Sequence, residues 1–166
     1  MHILITILAI LAAWRWADWS RFSAFHATIL YMSAMDLLYL VLTVDDPLWI
    51  LKSNIGVPHT IVTLLYTFVV FPSTVMLFLS NYPDIPFKKL FHYAKWIFIY
   101  IGVEWIGYLT GAIYYKNSWT LGWSLLFLIV MFPMLRLHFK KPILSYLLSF
   151  FIIVFLLYWF QVPLKH

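Results

Sequence analysis

Residues 58–80 read PHTIVTLLYTFVVFPSTVMLFLS and hold no Asp, Glu, Lys or Arg. A membrane-crossing α-helix takes about 20 mainly apolar residues at about 1.5 Å of rise each, so this stretch alone is long enough to span a bilayer. Outward from it, five more stretches approach the same standard, at 1–16, 26–44, 92–114, 119–138 and 142–162. The chain is therefore expected to be all-α, a polytopic transmembrane helix bundle of six spans. The first stretch is the shortest: its unbroken apolar part ends at Trp14, and it reaches full depth only if the Arg15 side chain extends to the interface. The alternative is five spans plus an N-terminal interfacial helix.

Composition points the same way. Of the 166 residues, 64% are hydrophobic and 10% charged, which is more apolar surface than a soluble domain can cover and too little charge for a disordered chain. The connecting segments leave no room for a soluble domain, so 1–166 reads as a single integral membrane domain. A net charge of +5 would suggest nucleic acid in a soluble protein. Here the cations sit between apolar runs, where membrane topology places them, and no nucleic-acid partner is expected. The absence of Cys excludes disulfides, thiolate nucleophiles and Cys-ligated metal centres. Met1 to Trp14 has no Lys or Arg ahead of its apolar run and reads as a retained span rather than a cleaved signal peptide.

The links carry turn chemistry: Asp45-Asp46-Pro47, Asn81-Tyr82-Pro83-Asp84-Ile85-Pro86, Lys116-Asn117-Ser118 and Lys140-Lys141-Pro142. Their shortness predicts antiparallel neighbours in one bundle. Arg15, Arg21, Lys88, Lys89, Lys95, Arg136, Lys140 and Lys141 fall on one side, and Lys52, Lys116 and Lys165 on the other. By the positive-inside rule, loops 1–2, 3–4 and 5–6 are expected in the cytoplasm and both termini outside. Trp14, Trp16, Trp19, Trp49, Tyr82, Tyr93, Trp96, Tyr114, Tyr115, Trp119, Tyr158 and Trp159 fall near the span ends, where amphipathic rings anchor helices at the interface.

Two acids stand apart from this pattern. Asp36 lies midway along the second stretch and Glu104 midway along the fourth. A carboxylate at the bilayer centre costs about 2.5 kcal/mol or more, so each is expected to face the bundle interior and be paired, hydrated or protonated. One reading is a proton or cation site between spans 2 and 4. The other is a polar clamp between helices, with Asp36 bonded to Ser33, Tyr39 or an Arg. Arg136 either reaches toward Glu104 or extends outward beside Lys140 and Lys141 to set topology. His138 is expected at the interface, and His59, after Pro58, is a candidate for an outer vestibule with Thr60 and Thr63. Pro72 and Pro133 are candidate hinges, since each frees a carbonyl one turn earlier. Gly102, Gly107 and Gly111 suggest close helix packing or a dimer face. Phe71-Pro72 and Phe132-Pro133 each follow an acid-bearing span, which hints at parallel repeats of spans 2–3 and 4–5, though Phe-Pro is a common pair in apolar helices.

No phosphate-cradling glycine loop, serine nucleophile elbow or metal-ligand spacing occurs, so no cofactor or metal is expected and the chain leans away from enzymes. The run from Trp14 to Trp19, Asp36-Leu37-Leu38-Tyr39, Phe71-Pro72 and Met131-Phe132-Pro133-Met134-Leu135-Arg136-Leu137-His138-Phe139-Lys140-Lys141-Pro142 resemble a family of small multi-spanning proteins from Bacillus and Clostridium relatives. The resemblance covers nearly the whole chain. It implies a bacterial cell membrane and a similar topology, and it assigns no activity.

Three functions remain open on the sequence. The first is a non-enzymatic component acting through a membrane-protein partner, a second copy of itself or lipid. The second is a small proton- or cation-coupled transporter or channel subunit using Asp36 and Glu104. The third, an intramembrane lipid-modifying enzyme, requires Glu104, Arg136 and a His to converge.

Overall fold

Prolines mark the starts of three of the long helices. Pro58 precedes one, and Pro86 and Pro142 open two others, where a missing N–H costs nothing and the fixed φ suits the first turn. The protein is described by a computed structural model covering residues 1–52 and 56–163; Lys165 and His166 lie outside the described residues. The chain is 77% helical, with six helices. These are α1 (His2–Trp16), α2 (Phe22–Leu42), α3 (His59–Ser80), α4 (Pro86–Leu109), α5 (Leu121–Lys140) and α6 (Pro142–Trp159).

Four of them are long and apolar enough to cross a membrane: α2 with the turn before it, α3, α5 and α6. The fifth long helix, α4, spreads Lys88, Lys89, Lys95 and Glu104 along its 24 residues. At 15 residues, α1 is the shortest of the six. Nevertheless α1 runs beside α3 between the same two levels. Its first residue in the helix, His2, meets Tyr66, and just beyond its last turn the Asp18 N–H donates to Ser80 Oγ at 2.9 Å.

The all-α expectation needs one amendment. The second and fourth links contain β1 (Trp49–Leu51) and β2 (Ile113–Tyr115), paired antiparallel with Trp49 opposite Tyr115, Ile50 opposite Tyr114 and Leu51 opposite Ile113. The fourth helix was expected to reach residue 114, but α4 stops at Leu109. Gly111 takes φ +67, and the Ala112 N–H folds back onto the Gly107 carbonyl at 2.8 Å. Extended chain at the end of a bundle leaves backbone groups open, and the ladder pairs them.

His2 fastens this ladder end. Its Nε2 lies 3.2 Å from the Lys52 carbonyl and 3.1 Å from the Ala112 carbonyl, so Nε2–H donates and Nδ1 accepts from the Tyr66 hydroxyl at 3.0 Å. Sequence reasoning gave this His no weight.

The order of elements repeats. An acid-bearing helix, a three-residue strand and a proline-containing helix occur twice, as α2–β1–α3 and α4–β2–α5. In each half the two helices pack together; α1 adds to α3 and α6 adds to α5, while α2 meets α5. The two prolines are handled differently. Residues Tyr66–Val70 widen into a π-helical turn ahead of Pro72, which gives the ring room, whereas Pro133 sits within an unbroken α5.

The main core fills the end away from the ladder, around fully buried Phe25, Phe78 and Phe132. Gly107 is used inside the chain: a Cβ there would sit 2.7 Å from Ile113 Cδ1 and 2.8 Å from Met1 Cε. With Gly107 packed and Gly111 in a turn, the three glycines form no common open stripe. Gly107→Leu is expected to lower stability by about 1–3 kcal/mol, since its extra carbons overfill the junction of α1, α4 and β2. A lower thermal midpoint in detergent, with helicity unchanged, is the readout.

Candidate functional site

A half-open cavity of about 1070 Å³ lies between the helices, and both Asp36 and Glu104 line it. Its walls are overwhelmingly apolar, drawn from every helix and both strands. The ladder covers one side through Trp49, Ile50, Leu51 and Ile113, and the exposed His59 and Thr60 lie at its rim. His59, Thr60 and Thr63, expected together at an outer vestibule, all line this space.

Each acid is held by hydroxyls from the helix or strand that follows it. Thr67 Oγ1 lies 2.5 Å from Asp36 Oδ2 and 3.1 Å from the Thr63 carbonyl. One hydroxyl hydrogen cannot serve both. With Asp36 ionised, Thr67 donates to it; with Asp36 protonated, the carboxyl donates to Thr67, whose hydrogen then turns to Thr63. The π-helical turn sets this arrangement, because it carries Thr67 and turns the Thr67 carbonyl toward the Ser33 hydroxyl, which donates at 2.8 Å.

Glu104 Oε1 accepts from Tyr115 at 2.8 Å and from Ser124, which in turn accepts from Trp119 Nε1 at 2.8 Å. Burial, reinforced by the Glu104 carboxyl, pushes the Tyr115 phenol above its ordinary range, so it stays protonated and keeps donating. Among the described residues, Asp36 Oδ1 and Glu104 Oε2 have no protein hydrogen bond, and neither is sealed off as a buried orphan.

The other expected site residues lie elsewhere. The Arg136 guanidinium stacks over Tyr82 at 4.1 Å and Phe139 at 5.3 Å, away from Glu104. His138, expected at the interface, is 2% exposed, stacked on Tyr31 at 4.2 Å with Thr28 3.0 Å from its Nδ1. Its buried Nε2 has no hydrogen-bond partner among the described residues. Pro72 adjoins the site through the π-helical turn, while Pro133 neighbours buried Phe132 in the core.

Several aromatic residues expected as interfacial anchors instead face the cavity, among them Trp49, Trp96 and Trp119. Trp96 is 8% exposed, and its buried Nε1 has no hydrogen-bond partner among the described residues. Trp14, Trp16, Tyr158 and Trp159 are exposed, as anchors require.

The hydroxyl partners were missed in the sequence. Thr60, Thr63, Thr67 and Thr74 recur at spacings that share one helical face, and that stripe was the available signal. Tyr115 and Ser124 carried none. No protein-family model, curated protein or solved structure matches the chain. Its class therefore rests on its own architecture, a helical bundle with membrane-length apolar helices around an acid-bearing cavity.

Proposed function

We propose that this chain is a small, non-enzymatic, proton- or cation-coupled transporter of a bacterial cell membrane. One observation carries the reading: two carboxyls from different helices, each about a turn and a half from the ladder end of its helix, line a single cavity. Intramembrane acids are expensive and mark ion or proton pathways by default. A bundle acting only through its outer surface has no need of either acid or cavity. The repeated order of acid-bearing helix, strand and proline-containing helix supports the same reading, since transporters commonly place their site between internal repeats. The enzyme reading loses its constellation, because Arg136 and His138 pack away from Glu104.

In this reading all six helices cross the bilayer. The ladder end, with Lys52 and Lys116, faces outward with both termini, and the end carrying Arg15, Arg21, Lys88, Lys89, Lys95, Arg136, Lys140 and Lys141 faces the cytoplasm.

The test is proton and Na⁺ or K⁺ flux in proteoliposomes carrying wild-type protein, Asp36→Asn or Glu104→Gln. Wild-type flux is expected to fall at least tenfold in each variant, with helicity and thermal midpoint retained. Absence of flux from the wild-type protein, or flux indifferent to both substitutions, refutes transport and returns the chain to a role in membrane assembly.

A further inference from the structure

Resting on the transport reading, we infer that the cavity takes a lipophilic organic cation, held by Asp36 and Glu104 among aromatic walls. The size of the space decides against a bare inorganic ion. Drug-sized ligands occupy sites of about 300–1,000 Å³ with apolar walls and a few convergent polar groups, and this cavity measures about 1070 Å³. A hard cation instead takes about six or more oxygen ligands drawn into one shell. Here the carboxyls belong to separate hydroxyl pairs, Asp36 with Thr67 and Glu104 with Tyr115 and Ser124.

Charge decides the sign of the ligand. Asp36 and Glu104 are the acids on the walls, and several of the chain's cations are engaged elsewhere: Arg136 over Tyr82, Lys52 over Tyr114 and Arg21 over Phe25. A lipophilic anion entering this space would meet carboxyl groups at two positions, whereas a cation finds a partner at both.

The walls also suit a delocalised or alkylated cation. Tyr39 stacks on Trp49 with centroids 4.1 Å apart, Trp119 lies 5.0 Å from Trp49, and all three line the cavity under the ladder. Aromatic faces attract desolvated cations through the ring quadrupole. One oxygen of each acid is held by hydroxyls while the other has no hydrogen-bond partner among the described residues, so the carboxyl is oriented and still able to receive a proton or a cation. Competition between the two at the same oxygens would couple cation movement to proton movement.

Two ions of the same shape and opposite charge test this directly. Purified protein in nanodiscs is equilibrated with radiolabelled tetraphenylphosphonium or tetraphenylborate, and the same proteins are assayed for flux in proteoliposomes. Tetraphenylphosphonium is expected to bind saturably and at least tenfold more tightly than tetraphenylborate. Asp36→Asn and Glu104→Gln should each weaken it at least tenfold, while Asp36→Glu restores most of the loss. Equal binding of both ions, or phosphonium binding indifferent to the acid substitutions, overturns the substrate class. Acid-dependent proton or Na⁺ flux without phosphonium binding sinks the organic-cation inference and leaves transport standing. Acid-dependent phosphonium binding without any flux upholds the ligand and removes the carrier role.

Discussion

Phe78→Ala is expected to lower the free energy of unfolding by about 3 kcal/mol, the lower end of the range for emptying a large, fully enclosed aromatic site. Phe78 is 0% exposed, and the rings of His92, Phe132, Tyr82, Tyr93 and Trp96 surround it at centroid distances of 5.0, 5.3, 5.7, 5.8 and 6.4 Å. In a bilayer the surroundings of an unfolded helix are as apolar as the core, so the loss is not one of hydrophobic transfer. It comes from packing: the cavity left at the junction of α3, α4 and α5 forfeits dispersion contacts on every side. Phe150, 61% exposed on α6, is the matched control, and its replacement by Ala should change stability by no more than about 0.5 kcal/mol. Reversible unfolding in mixed micelles measures both. A Phe78→Ala effect as small as the control would mean that this end of the bundle is not packed as described.

Leu51→Cys combined with Ile113→Cys is expected to form a disulfide on mild oxidation and to stabilise the protein by about 2–4 kcal/mol. The chain has no Cys of its own, so nothing competes for the bond. Backbone bonds from Lys52 N–H to the Ala112 carbonyl and from Lys116 N–H to the Leu48 carbonyl fix the parity of the ladder. They place Leu51 opposite Ile113 at a non-hydrogen-bonded position, where Cα atoms approach to about 4.5 Å and side chains share a face. That separation is within the range disulfides accept. The cross-link closes the long segment containing α3 and α4, and the entropy it removes from the unfolded chain is the source of the gain. Ile50→Cys with Ile113→Cys puts the thiols on opposite faces and should remain reduced under the same conditions. Oxidation of both pairs alike, or a thermal midpoint unmoved by the first, would show the register to be wrong.

Helix existence was legible because long uncharged runs leave the backbone little choice: in hydrocarbon every N–H and C=O must be satisfied within the segment. Asp36 and Glu104 stood out for the same reason, as charges interrupting such runs. The helix that carries each acid followed from counting residues, but its depth did not: α2 ends at Leu42 and α4 at Leu109, so both acids lie nearer the ladder end than the middle. Azimuth around the helix did not follow either, and azimuth separates Arg136 over Tyr82 from an Arg136 that reaches Glu104. It also separates the interfacial His138 expected from the chain and the buried one stacked on Tyr31. Trp49, Trp96 and Trp119 read as anchors because belts and cavity walls draw on the same residues at the same depth.

The ladder was invisible for a different reason. Three-residue strands carry too little periodicity to be read, and pairing Leu51 with Ile113 is a contact between distant parts of the chain that only the meeting of two helix ends creates. The sequence by itself determined the apolar helices, their turns and the presence of one acid within each of two apolar runs, since these follow from local composition and the demand for satisfied backbone groups. The tertiary structure alone decided that both acids border one cavity, that Thr67, Tyr115 and Ser124 hold them, and that His2 ties the ladder end together. Those outcomes depend on the rotation of each helix against its neighbours, which packing sets and no single helix encodes.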